Sequence, residues 1–346
     1  GTNAITIDSN GLKFQSEEDT YIVDYDTNGQ AINLVYSGAT VGWTPASDIV
    51  SADEPVAPPT QKAIFGYGTT GSVVSMSNLV NSSGVIATDV TGVGSAREAL
   101  AAATYGLDKA IFGYGNTGSR VSLTNLVSNS GVVATDTTGV GTARDGLAAA
   151  AYGIDKAIFA YGQTADAKVS LSNLVSNSGV VASDVSGVGS ARSSLAAAGY
   201  GTDKAIFGYG STGSDVSLTN LVSNTGVVSA DVSGVGTARR ILAATSYGTD
   251  KAIFGFGWNG SSYLSITNLV NSSGVVAADV SGVGTIRRGL SAAGYGGDKA
   301  IFAYGNTGSA SSLSNLVNSS GVVASDVSGV GTARNDLAAA GYSSSA

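Results

Sequence analysis

Four short apolar patterns succeed one another along most of this chain, and the set recurs six times. In the second copy they read Lys-Ala-Ile-Phe-Gly-Tyr-Gly from Lys109, Val-Ser-Leu-Thr-Asn-Leu-Val over 121–127, Gly-Val-Val-Ala-Thr-Asp over 131–136 and Ala-Arg-x-x-Leu-Ala-Ala-Ala-x-Tyr-Gly over 143–153. The first three are brief, rich in β-branched and aromatic residues and bounded by Gly, Ser and Asn, which predicts strands. The fourth is built of Ala and Leu, which favour a helix in isolation. Only seven residues separate its Arg from the Tyr-Gly, which is short for a helix. The Lys-Ala-Ile-Phe tetrads start at Lys62, Lys109, Lys156, Lys204, Lys251 and Lys299, in steps of 47, 47, 48, 47 and 48 residues. Four strands per period, six times over, predict an all-β fold: a six-bladed β-propeller over 62–346. The array opens on the strand at Lys62 and ends on Leu337-Ala-Ala-Ala-Gly-Tyr342. The C-terminal strand should therefore complete the first blade beside residues 62–68 and remove the free edge.

Residues 1–50 alternate differently and predict a small antiparallel β domain. Ile5 and Ile7 precede a turn at Ser9-Asn10-Gly11, followed by Leu12 and Phe14. Residues 21–25 and 31–36 flank Asn28-Gly29, and Asn-Gly is a strong two-residue hairpin signal. Val41-Gly-Trp43 closes the segment. So few short hairpins supply little core, so the domain needs a neighbour, either the array or copies of itself. Residues 51–61 hold three of the four prolines (Pro55, Pro58, Pro59) and read as a stiff, extended linker.

Composition removes several kinds of chemistry. Cys and His are both absent from the 346 residues, so no disulfide, zinc site or imidazole base can be assembled. The net charge of −8 comes wholly from residues 1–61, which carry nine acids and one base, while the repeats carry sixteen of each sign. Without a basic stripe, sequence-independent binding to nucleic acid is not expected. No apolar run approaches the ~20 residues of a membrane span. No signal peptide opens the chain, which reads as trimmed at Gly1-Thr2.

Two resemblances follow from these residues. Arg-x-x-Leu-Ala-Ala-Ala followed by Lys-Ala-Ile-Phe-Gly-Tyr-Gly resembles the kelch repeat over residues 62–346. The glycine doublet of that repeat is here split by an aromatic (Gly113-Tyr114-Gly115). Its tryptophan is absent, and Gly-Val-Gly at 139–141 stands in that loop. Residues 4–48, with Asn33-Leu-Val-Tyr-Ser-Gly-Ala-Thr-Val-Gly-Trp-Thr-Pro45, resemble short modules in structural proteins of tailed phages, particularly marine ones. There they precede repeat or adhesin domains. That likeness implies a virion-surface, extracellular location, contact with other virion proteins through the N-terminal domain, and homo-oligomeric assembly.

Charged residues recur as rings: Arg97, Arg144, Arg192, Arg239, Arg287 and Arg334; Asp89, Asp136, Asp184, Asp231, Asp279 and Asp326; and the six lysines that open the tetrads, each preceded by Asp except Lys62, which follows Gln61. Groups present in every blade suit bracing pairs, since an active site needs different groups converging on one point. The alternative places six arginines around a channel mouth, where they would hold an anion. Gly-Val-Gly-Thr-Ala-Arg is half a nucleotide fingerprint and reads as a turn. Asp24, Asp26 and Asn28-Gly29 begin a calcium loop, but its twelfth position is Val35. No catalytic residues, metal or cofactor are assigned, and the chain reads as non-enzymatic.

Differences between copies fall in two patches. One is the loop after each Gly-Tyr-Gly strand, holding Arg120, Lys168, Asp215, Trp258, Asn259 and Tyr263. The other is the pair after each ring arginine, holding Arg240 and Arg288. A meander puts both patches on one face, with a constant scaffold beneath, as a recognition surface requires. Neutral drift in exposed loops gives the same pattern. The fifth copy differs most: Trp258 and Tyr263 put two aromatic residues in a loop that has none in the other copies, and Phe256 replaces Tyr. Aromatic rings beside amides and hydroxyls suit a sugar. The reading is a tail-fibre or head-surface adhesin that recognises a host-surface glycan or protein through this face. A structural or protein-interaction propeller is its alternative.

Overall fold

The computed structural model describes residues 5–7, 23–25, 34–37, 43–45 and 60–345. The chain divides into two compact units, Gly1–Pro58 and Pro59–Ala346. In the first, β1 (Ile5–Ile7) pairs antiparallel with β2 (Val23–Tyr25), and β3 (Leu34–Tyr36) pairs with β4 (Trp43–Pro45). The expected hairpin of 21–25 on 31–36 is thus corrected, since β2 and β3 belong to different two-stranded sheets. The turns at Asn10-Gly11 and Asn28-Gly29, the segment at Leu12 and Phe14, Asp26 of the calcium-like loop and linker residues 51–59 lie outside the described residues. Tyr36 and Trp43 stack across β3 and β4 at 5.4 Å.

The second unit holds β5 (Lys62–Gly66), β6 (Ser77–Val80), β7 (Ala101–Tyr105), β8 (Lys109–Gly113), β9 (Thr124–Val127), β10 (Ala148–Tyr152), β11 (Lys156–Ala160), β12 (Ser172–Val175), β13 (Ala196–Tyr200), β14 (Lys204–Gly208), β15 (Thr219–Val222), β16 (Ala243–Tyr247), β17 (Lys251–Trp258), β18 (Tyr263–Val270), β19 (Ser291–Tyr295), β20 (Lys299–Ala303), β21 (Ser314–Val317) and β22 (Ala338–Tyr342). They form six three-stranded antiparallel sheets in a repeating, propeller-like arrangement, and no helix occurs among the described residues. The first sheet is β22-β5-β6, so the last strand pairs with the first strand of the array; the second to sixth run β7-β8-β9 through β19-β20-β21. The inner strands neighbour one another in the order β7, β10, β13, β16, β19, β22, and β22 also lies against β7.

The inner strand is where alanine tracts become strands despite their helical preference. All six inner strands line two small cavities of about 100 and 120 Å³, and only Ala, Gly, Ser, Thr and Leu side chains come between them there. The middle strand is buried on both faces, as its continuous apolar run requires. Its Ile packs toward the next sheet, while its Ala and Phe pack toward the previous one: Ile158 meets Ala205 and Phe207, and Ile111 meets Ala157 and Phe159.

The four expected strands per repeat are corrected to three. The segment 131–136 forms no named strand: it meets β9 through two isolated bridges, Val127 to Val133 and Thr124 to Thr137, with the Ala134 amide donating to the Leu126 carbonyl at 2.8 Å. Between those bridges the side-chain amide of Asn125 donates to the Ala134 carbonyl at 3.0 Å, taking the place of a continuous backbone ladder.

Backbone hydrogen bonds tie neighbouring sheets at both ends. At one end each second residue after a ring arginine donates to its counterpart in the preceding junction. The six bonds run Gly146 to Ala99, Ser194 to Gly146, Ile241 to Ser194, Gly289 to Ile241, Asp336 to Gly289 and Ala99 to Asp336. At the other end Gly106, Gly153, Gly201, Gly248, Gly296 and Ser343 donate to Asp155, Asp203, Asp250, Asp298, Gln61 and Asp108.

The hairpin turns at that second end hold two residues at positive φ. In the third sheet these are Gly153 (φ 58°) and Ile154 (φ 74°), and Ile154 is 55% exposed. A β-branched residue in the left-handed region costs roughly 1–2 kcal/mol, and the sixth sheet has Gly297 at this position (φ 82°). Ile154→Gly should therefore raise stability by about 1 kcal/mol, the relief being partly offset by the entropy of the unfolded glycine. A urea midpoint at or below that of the wild type would contradict this.

Candidate functional site

The six ring arginines are fully buried, so none presents its charge to solvent at a channel mouth; each braces the junction between two sheets. Arg192 shows the pattern. Its guanidinium lies 4.2 Å from the ring centroid of Tyr161 in the third sheet. Its Nε donates to the Tyr209 carbonyl at 2.9 Å and its Nη2 to Asn220 Oδ1 at 2.6 Å, both in the fourth sheet. Asp231 Oδ1 lies 3.8 Å from Nη1. The junction of the last sheet with the first repeats this: Arg334 stacks on Tyr304 at 4.2 Å, donates to the Tyr67 carbonyl and Asn78 Oδ1, and faces Asp89 at 3.9 Å.

The ring aspartates complete the brace. Asp231 accepts from the Ser190 amide at 3.0 Å, the Ser190 hydroxyl at 2.6 Å and Asn220 Nδ2 at 2.9 Å. The Gly-Val-Gly segment is the turn that brings the preceding sheet to this carboxylate. A Cβ on Gly141 (φ 76°) would stand 2.4 Å from Asp184 Oδ1, so only glycine fits. The buried asparagines Asn78, Asn125, Asn173, Asn220, Asn268 and Asn315 hold both the arginine and the aspartate. Sequence reasoning passed over them. Their recurrence in every Ser/Thr-Asn-Leu-Val was the available signal.

Burial pushes each ring arginine's pKa down, and Asp326 alone opposes this at Arg287, which falls to about 10. Arg287 therefore remains cationic at neutral pH. Arg287 is also the one ring arginine whose Nε has no hydrogen-bond partner. For the ring aspartates, burial pushes the carboxyl up, but the Ser or Thr, Asn and backbone donors and the arginine outweigh it, leaving the pKa below the ordinary range.

The two variable patches do share one face. The residue after each ring arginine bridges the first loop residue of the next sheet: Glu98 to Asn116, Asp145 to Gln163, Ser193 to Ser211, Arg240 to Trp258, Arg288 to Asn306 and Asn335 to Thr69. Several candidate ligand-binding residues pair with one another here. Arg120 Nε lies 3.1 Å from Asp145 Oδ1, and Arg240 Nη1 lies 3.0 Å from Asp215 Oδ1. Lys168 Nζ donates to Ser211 Oγ at 3.3 Å. Asn259 caps its own hairpin, its Oδ1 accepting from the Ser261 amide and hydroxyl and the Ser262 amide.

Trp258, Tyr263 and Arg288 come together. In the fifth sheet the middle and outer strands run three to four residues longer than elsewhere, with a bulge at Gly255–Gly257, and Trp258 pairs directly with Tyr263. Their rings meet edge to face at 5.3 Å. The Arg288 guanidinium lies 5.6 Å from the Trp258 centroid and 5.3 Å from that of Tyr263. All three side chains are half-buried. The Tyr263 hydroxyl donates to Asn306 Oδ1 at 3.4 Å.

Elsewhere, a cavity of about 380 Å³ beside Lys62, Leu79, Val85 and Tyr342 contains none of the variable residues. The axial cavities fall well below the ~300 Å³ of a small-molecule site. Among the described residues no cluster of acids could hold a metal ion, and no helix is long and apolar enough to cross a membrane.

Replacing Arg192 by Met should cost roughly 2–5 kcal/mol, because it leaves the buried Tyr209 carbonyl and Asn220 Oδ1 without a donor and removes the cation over the Tyr161 ring. A loss under about 1 kcal/mol in chemical denaturation would refute the bracing role. The aspartates set the acid limit. A carboxyl whose pKa is lower folded than unfolded stabilises the fold above its unfolded pKa, about 4, and loses that contribution as pH falls through the folded value. The thermal midpoint should stay level from neutral pH to about 5 and fall steeply below about 4. Asp231→Asn should lower the neutral midpoint and shrink the acid drop; an unchanged acid drop would contradict the assignment. No family model matches the chain, and no curated protein matches it.

Proposed function

We propose that the second unit is a closed six-bladed β-propeller of the kelch-like kind, and that it is a non-enzymatic recognition module. Three observations support closure: the pairing of β22 with β5, the two sets of six backbone hydrogen bonds, and an arginine brace between the last sheet and the first. The functional reading is a virion-surface adhesin, such as a tail-fibre component. It takes a host-surface glycan on the variable face and meets other virion proteins, and copies of itself, through the N-terminal unit. The adhesin and virion assignments rest on the resemblance of residues 4–48 to tailed-phage modules.

The observation that carries the glycan reading is the fifth sheet. Its hairpin is lengthened to set Trp258 and Tyr263 side by side, half-exposed, in an array whose other copies have no aromatic residue at either position. Paired aromatic rims beside amide and hydroxyl groups suit the apolar face and hydroxyls of a pyranose. A second reading, a structural or protein-interaction propeller without a sugar ligand, draws on the ion pairs Arg120–Asp145 and Asp215–Arg240, which spend much of the face's variation on neighbouring sheets.

A glycan array probed with the wild type and with a Trp258→Ala, Tyr263→Ala double variant tests this. Wild-type binding that falls at least tenfold in a variant of unchanged fold supports the site. Binding that survives moves it to another part of the face, and no wild-type binding to any glycan favours the structural reading.

A further inference from the structure

Arg288 is an exception among the face's arginines. One repeat earlier, Arg240 occupies the same position and is neutralised by Asp215, the last residue of the preceding sheet's loop. For Arg288 the corresponding loop residue is Tyr263, so an aromatic ring stands where the carboxylate would be. Among the described residues no carboxylate comes within 4.0 Å of the Arg288 guanidinium, and its side chain donates no hydrogen bond. Its charge is held between two rings but not cancelled.

The groups around it are donors. Arg288 and Asn306 are backbone partners, with Asn306 N donating to the Arg288 carbonyl at 2.7 Å and Arg288 N to the Asn306 carbonyl at 3.1 Å. Directly paired residues project to the same side of a ladder. Asn306 Oδ1 is occupied by the Tyr263 hydroxyl and the Gly308 amide, which leaves its Nδ2 hydrogens without a partner. The Trp258 indole N–H likewise has none among the described residues. The acid that senses Arg288 electrostatically is Asp336, beyond ion-pair distance; burial pushes its carboxyl up, and Asn335 Nδ2 donates to it. A surface that offers a guanidinium fork, an amide and an indole N–H, with its acceptors already used, is matched to an anionic oxygen group.

Resting on the glycan reading above, we propose that the junction of the fifth and sixth sheets binds an anionic saccharide, its carboxylate or sulfate on Arg288 and its ring against Trp258 and Tyr263. A carboxylate and a sulfate share the needed chemistry, planar or tripodal oxygens facing a guanidinium, so both classes enter the test.

Calorimetric titration of the full chain with uronate-containing oligosaccharides, their carboxyl-reduced counterparts, sulfated oligosaccharides and their desulfated counterparts separates the outcomes. At least one acidic ligand should bind wild type tenfold or more tighter than its neutral counterpart, with affinity falling as salt rises. Arg288→Gln, with an unchanged melting temperature, should lose more affinity for the acidic ligand than for the neutral one. Equal wild-type affinity for acidic and neutral sugars overturns the anionic class while leaving the glycan reading standing. So does an equal loss on both ligands in Arg288→Gln, down to no binding of either. Absence of wild-type binding to all four sets overturns both.

Discussion

The array depends on a buried guanidinium at each junction between sheets. An ion removed from water is costly unless its hydrogen bonds and charge are met, and here they are met from two sheets at once. One sheet supplies the aromatic ring beneath it. The next supplies a carbonyl, an asparagine oxygen and an aspartate. The arginine is satisfied only when both sheets are in register, so the same residue that stabilises the junction also specifies it. Local strain accompanies this. Tyr67, Tyr114, Tyr161, Tyr209, Phe256 and Tyr304 all sit at φ 63–65° to place the ring under the guanidinium, a conformation that persists only where packing over-determines it.

Once six such junctions carry the fold, the loop face is free to vary, and the variation has two distinct uses. At two junctions it becomes complementary charge with opposite polarity: arginine in the loop and aspartate after the brace between the second and third sheets, the reverse between the fourth and fifth. At the junction of the fifth and sixth it becomes an aromatic pair and an uncancelled cation. The fifth copy also loosens the brace: Phe256 lacks the hydroxyl that elsewhere meets a loop carbonyl and Arg287 Nε has no partner, while the ring, asparagine and aspartate contacts of Arg287 remain. The departures from regularity thus gather at one junction, where local consistency is relaxed, as functional sites commonly are.

Much of the architecture was legible because the period is long and the strand patterns are strong. The pairing of the C-terminal strand with residues 62–66 and the common face of the two variable patches follow from where Lys62 and Leu337 fall in the repeat. What failed was local. The third apolar pattern, 131–136, is strand-like in composition, but Asn125 reaches across with a side chain in place of the backbone ladder. In the first unit, Asn-Gly pointed to a hairpin between neighbours in sequence, whereas β1 pairs with β2 across a longer separation. Charge was the least legible feature. Arg120, Asp215 and Arg240 look like free recognition residues until the topology sets each beside its opposite, and the ring arginines look like a channel mouth until packing buries them.

A brace at every junction of the array is the central claim, and the first sheet is its sharpest case, because there the last strand of the array, β22, meets the first, β5. Hydrogen–deuterium exchange resolves it by comparing amides of Lys62–Gly66 with those of Lys156–Ala160, whose inner partner lies in the same covalent hairpin. If β22 and the Arg334 brace close the array, both strands exchange with similar, slow rates. Exchange of Lys62–Gly66 that is orders of magnitude faster, as at an open sheet edge, would contradict the account.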